Sequence, residues 1–228
     1  MKLLRTASIT LVVLASLRNI SGQGFVDLNF ESVSGTPVPL ENYPFAPIGI
    51  ATTNGIPGWA ATGGDFNPTY ILFDTFANGN SSITLFDATN QYSFHVLAGR
   101  YSLFLFGGGS SPQGVSISQT ASVPANAHSI QFMAAIHPEL LEVSLGGQNI
   151  PLSALSSTSD YTLFGGDVSA FAGESETLTF TVPRGINNTV VLDDITFSAS
   201  QVPEPRSLSL FGGCTLLLCW HLRPKNWA

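Results

Sequence analysis

The chain has 228 residues, 44% hydrophobic and only 10% charged, and its 8 cations against 15 acids give a formal charge of −7. The charge is uneven: between 25 and 200 only Arg100 and Arg184 stand against 14 acids, a formal −12 with no lysine. So acidic a body is repelled by phosphate backbones and anionic membrane surfaces, which excludes nucleic acid as a partner.

The first 23 residues have the layout of a secretory signal peptide. Lys2 and Arg5 form a basic start, Ala7 to Leu17 is apolar, and the small residues Ser21, Gly22 and Gly24 follow. Such a run is too short to span a bilayer, which takes ~20 residues. Cleavage is expected between Ser21 and Phe25. Basic residues lie outside the apolar segments at both ends of the chain, so the positive-inside rule puts the acidic middle outside the cell.

The middle reads as many short strands. In Val26–Glu31, Val26, Leu28 and Phe30 alternate with polar residues, predicting a strand. The aromatics Tyr43, Phe45, Trp59, Phe66 and Tyr70 follow outside clear strands. They are candidates for stacking on sugar rings, although Trp59, after Pro57-Gly58, fits a core edge better. Tyr101–Phe106 is a further strand. Gly107 to Pro112 reads as a loop, and it lacks the lysine of a phosphate-binding loop. Ser129–Ala134, Leu141–Leu145, Thr177–Val182 and Val190–Ser198 are strands too, and Gly146-Gly147 turns Leu141–Leu145 into a hairpin with Gln148–Leu152. Strands punctuated by Gly, Pro and Asn, with no capped helical period, predict one all-β antiparallel sandwich or barrel. At 175 residues over 25–199, this is enough chain for a sizeable core.

Catalytic patterns are weak. His95, His128 and His137 show no metal-ligand spacing, the body has no cysteine, and no G-x-S-x-G elbow occurs. The pairs Glu139/Glu142 and Glu174/Glu176 are conceivable glycosidase acids, but Glu174 and Glu176 would share a solvent face. A noncatalytic role is expected.

Taken in order, NFES at 29–32, GIPGWAATGG at 55–64, AGRYSLFLF at 98–106, GVSISQTASVP at 114–124, SIQFMA at 129–134 and VVLDDITFS at 190–198 resemble the galactose-binding-like jelly roll of many carbohydrate-binding modules. The resemblance implies a sandwich, a structural calcium and, in some members, a sugar-binding face. It brings Glu31 and the Asp193-Asp194 pair together at one end as metal ligands. Calcium takes carboxylate and carbonyl oxygens. If Ile195 and Phe197 face the core, strand parity aims Asp193 inward as well, and a buried carboxylate needs a partner or an ion.

The tail explains where the protein goes. A linker over 200–206 contains Val202-Pro203-Glu204-Pro205. An apolar stretch over 207–222 follows, about 24 Å long as a helix, with Cys214 and Cys219 inside it, and Arg223 and Lys225 stand in the basic end, 223–228. Both cysteines are here, so no disulfide staples the body. The arrangement resembles the PEP-CTERM sorting signal of Gram-negative bacteria. That resemblance implies a transmembrane sorting helix, processing by an exosortase-type membrane enzyme, and delivery to the cell surface or exopolysaccharide matrix. The expectation is an exported, surface-sorted structural protein; the alternatives are a carbohydrate-binding module that holds extracellular polysaccharide and, at a distance, a glycan hydrolase.

Overall fold

A computed structural model describes residues 24–43, 46–63, 69–76, 79–89, 96–109 and 114–202. The signal segment, Phe45, Phe66, His95, Ser110 to Pro112 and everything from Pro203 onward lie outside the described residues. Among those described, no helix is long and apolar enough to cross a membrane.

In chain order the strands are β1 (Val38–Pro39), β2 (Ile48–Ala51), β3 (Ala60–Gly63), β4 (Tyr70–Phe73), β5 (Ser82–Asp87), β6 (Tyr101–Gly108) and β7 (Val115–Ser122). Then come β8 (Ser129–Ile136), β9 (Glu142–Leu145), β10 (Gln148–Asn149), β11 (Ser153–Ser157), β12 (Thr162–Asp167), β13 (Ser175–Val182) and β14 (Gly185–Ser198). One short helix, α1 (Thr52–Gly55), interrupts them. The strands form two sheets. The larger runs β1-β2-β4-β5-β6-β14-β8-β12-β11 and the smaller β10-β9-β13-β7-β3. Pairing is antiparallel except between β4 and β5, which run parallel through Leu72↔Thr84 and Phe73↔Leu85. That pair departs from the expected all-antiparallel arrangement.

Alternating sequence explains the smaller sheet. In β13, Leu178, Phe180 and Val182 are fully buried while the threonines between them are half-buried. Across from them stand Leu103, Leu105, Ile130, Phe132, Val190 and Leu192 of the larger sheet, in one core. Phe132 meets Phe180 edge-on at 5.3 Å, and each such ring removed from water contributes about 1.5–3 kcal/mol. The larger sheet is buried on both faces at its centre. On its outer face Phe86, Phe104 and Val191 form a second cluster, covered by Phe76, Val96, Leu97 and Phe106. This is why Tyr101–Phe106 reads as a continuous apolar run rather than an alternating one.

The hairpin forms as expected. Gln148 pairs with Leu145, and Gly146 and Gly147 take φ of +58° and +75°, the left-handed pair that a two-residue turn needs. Gly107 and Gly108, read as loop, instead close β6. Val26–Glu31 is not a strand. Asp27 and Phe30 have φ of +49° and +56°, so the segment coils, and it buries Asp27 and Phe30 while Val26 and Leu28 are only half-covered. Two left-handed residues break a period-two pattern that its hydropathy mimics.

Candidate functional site

The residues expected to hold calcium converge on the segment 96–101, which leads into β6. Strand pairing sets Leu192 opposite Leu103 and Val191 opposite Phe104, and the next step along brings Asp193 to Ser102. Ser102 Oγ donates to Asp193 Oδ2 and itself accepts from Leu97 N at 2.9 Å. Ala98 N donates to the same Oδ2 at 3.1 Å, and Asp194 N donates to Oδ1 at 2.7 Å. From the other side, Glu31 Oε1 accepts from Arg100 N at 2.7 Å and Tyr101 N at 2.9 Å. The Arg100 guanidinium reaches Asp87 Oδ2 through Nη2 at 2.8 Å and Nε at 3.1 Å. Three carboxylates thus staple one turn of chain to three parts of the fold.

Asp193 is buried, 1% exposed, but not by the predicted route. The pairing of β14 shifts between Asp193 and Thr196, where Asp194 takes φ of +47°. Across this bulge Ile195 rejoins the face of Leu192, while Asp193 stays with Val191 on the outer face, beneath Leu97 and Ala98. An extra residue reverses parity. Burial pushes the Asp193 carboxyl up to about 7, even though Ser102, Asp194 and Ala98 all donate to it. At Asp87, burial alone would raise the carboxyl, but Arg100 and Thr89 hold it below the usual carboxylate range.

The neighbouring turn holds a residue that sequence reading missed. Asp27 Oδ1 accepts from Ser32 N at 2.8 Å, its carbonyl accepts from Trp59 Nε1 at 3.1 Å, and its Oδ2 is buried without a partner. Burial raises this carboxyl despite Ser32, and the charge of Glu31 adds to the rise. The only sequence signal was its place in the NFES-containing turn, and alternation put it on the wrong face.

The ligand set implied by the resemblance therefore does not fit as it stands. Both oxygens of Asp193 and Oε1 of Glu31 already accept N–H or O–H groups. Among the described residues no group of three or more His, Cys, Asp or Glu side chains is placed to share a metal ion. Asp27 Oδ2 is a buried carboxylate oxygen without a hydrogen-bond partner; an ion at this end would rest on Asp27 beside Glu31, with Asp193 and Asp194 set apart as part of the staple.

The aromatic candidates separate likewise. Trp59 is buried, its ring 6.1 Å from Phe30 and 6.2 Å from Phe180. Tyr43 and Tyr70 pack on Leu40 and Leu72 beside a shallow groove of about 350 Å³. At the far end of the body, Ser129 Oγ donates to Ser200 O at 2.7 Å. Val202 lies so close to Gly165 that a Cβ there would sit 3.1 Å from Val202 Cγ2. The expected linker is thus held to the sandwich through Val202.

No known family matches the chain, and no curated protein does. Two solved structures are similar at low level. One is a cyclase from Fischerella sp. TAU in complex with 4-(1H-indol-3-yl)butan-2-one, 13% identical, with a TM-score of 0.39 over 80% of this chain and 98% of that one. The other is the Stig cyclase Fisc of the same organism, 14% identical, with a TM-score of 0.35 over 76% of this chain and 94% of that one.

Proposed function

We propose that the protein is an exported, noncatalytic component of the cell envelope or exopolysaccharide matrix, a galactose-binding-like jelly-roll body carried to the surface by its PEP-CTERM-like tail. The observation that carries this reading is in the sequence, where Val202-Pro203-Glu204-Pro205, an apolar stretch over 207–222 and the basic Arg223 and Lys225 follow one another. The chain is held to the sandwich through Ser200 and Val202, and Pro203-Glu204-Pro205 follows at once. The acidic, cysteine-free body suits an extracellular setting in which burial alone supplies stability. The structural calcium that the resemblance implies is tested with the same reading, Asp27 Oδ2 being the buried oxygen it would take.

The test replaces Pro203, Glu204 and Pro205 by alanine in a host that has an exosortase. The native protein is expected at the surface with a mass that lacks both ends, and the variant is expected uncut in the membrane. Normal delivery of the variant would sink the sorting reading.

A further inference from the structure

β9 of the smaller sheet, the segment after β10, Phe164 of β12 in the larger sheet and the turn Pro138–Leu140 line a cleft of about 420 Å³. Its apolar lining includes Val143, Ile150, Leu152 and Phe164, and its polar lining is Glu139, Glu142 and Asn149. Phe164 is half-exposed and backed by Phe132, stacked at 5.9 Å.

We propose that this cleft binds a small organic cation, an ammonium or amidinium group carried on an apolar or aromatic body. The volume is that of a small-molecule site, which ordinarily runs about 300–1,000 Å³. The apolar lining and the Phe164 ring would take the body of the ligand, by burial and by cation–π attraction. Two carboxylates at the mouth would take its charge. Neither Lys nor Arg lines the cleft; beside it, His137 Nδ1 lies 3.4 Å from Glu139 Oε1. The rest of the body adds to the negative field, because Arg100 is taken up by Asp87 and only Arg184 remains between 25 and 200. Anions are therefore repelled. A neutral sugar needs donors as well as acceptors around its ring, and Asn149 is the one lining side chain with N–H groups to give.

The full chain in mild detergent, titrated calorimetrically with phenethylammonium, 2-phenylethanol, glucose and tetralysine, decides the matter. Phenethylammonium is expected to bind at least tenfold more tightly than the isosteric alcohol, and the preference should vanish in the Glu139→Gln/Glu142→Gln double variant. These exposed substitutions leave the core untouched, and Phe164→Leu, with its fold checked by circular dichroism, should weaken ammonium and alcohol together. Equal affinity for ammonium and alcohol, or an unchanged preference in the double variant, would overturn the proposal. So would tetralysine binding as tightly as phenethylammonium, or glucose bound in its place.

Discussion

A single carboxyl, Asp193, ties β14 to a segment 95 residues earlier in sequence. Its folded value, about 7, lies above the ordinary 3.8. The native state therefore holds a proton that the unfolded chain has released between those two values. Stability from this group is full below about pH 4, falls as pH rises toward 7, and is flat beyond; each pH unit crossed costs up to about 1.4 kcal/mol. Asp87 and Asp167 are held low and act in the opposite sense, so the contribution of Asp193 shows only as a difference. Urea unfolding at pH 4.5, 6 and 7.5 should give a fall in wild type relative to Asp193→Asn. Parallel curves for the two proteins would mean that Asp193 does not titrate in this range.

At the scale of elements, the staple makes the segment before β6 an attachment rather than a free loop. Glu31 supplies one oxygen to two backbone amides, Arg100 and Tyr101. Glu31→Ala should cost about 1 kcal/mol, chiefly at the part-buried Tyr101 amide, since the exposed Arg100 amide can turn to water. Amide hydrogen exchange should accelerate at Arg100 and Tyr101 while β8 and β13 keep their protection, because their partners lie elsewhere. Uniform acceleration across all strands would instead make Glu31 a determinant of global stability. The hairpin at Gly146-Gly147 and the alternation of β13 were legible in the sequence because turn chemistry and period-two patterning are local. The coil at Asp27–Phe30 was not, because two left-handed residues leave the hydropathy pattern unchanged.

For the whole molecule, the formal −12 between 25 and 200 is a repulsion that the two-sheet core must overcome. Any cation relieves it by screening, so calcium and magnesium must be compared at matched ionic strength. If Asp27 holds calcium, a calcium-selective rise in Tm of several degrees is expected, corresponding to about 2.7 kcal/mol at a hundredfold excess over Kd. Asp27→Asn should abolish the rise, and Asp193→Asn should keep it. Equal shifts with both metals, or a rise that needs Asp193 rather than Asp27, would overturn that assignment.

By itself the sequence determined the all-β class, the strands β6, β8, β9, β10, β13 and β14, the acidity of the body and the burial of Trp59, because burial and charge follow from residue type and local period. It also picked out Asp193 as a carboxylate that needs a partner, while Glu31 was named only through the resemblance. Only the tertiary structure decided what their partners are. The bulge at Asp194 turns Asp193 to the outer face, strand pairing delivers Ser102 and Ala98 to it, and the coil at Asp27 leaves one buried oxygen unmatched. The contacts of Asp193 and Glu31 depend on registers between segments some 70 to 95 residues apart, and a linear pattern with a period of two carries no record of them.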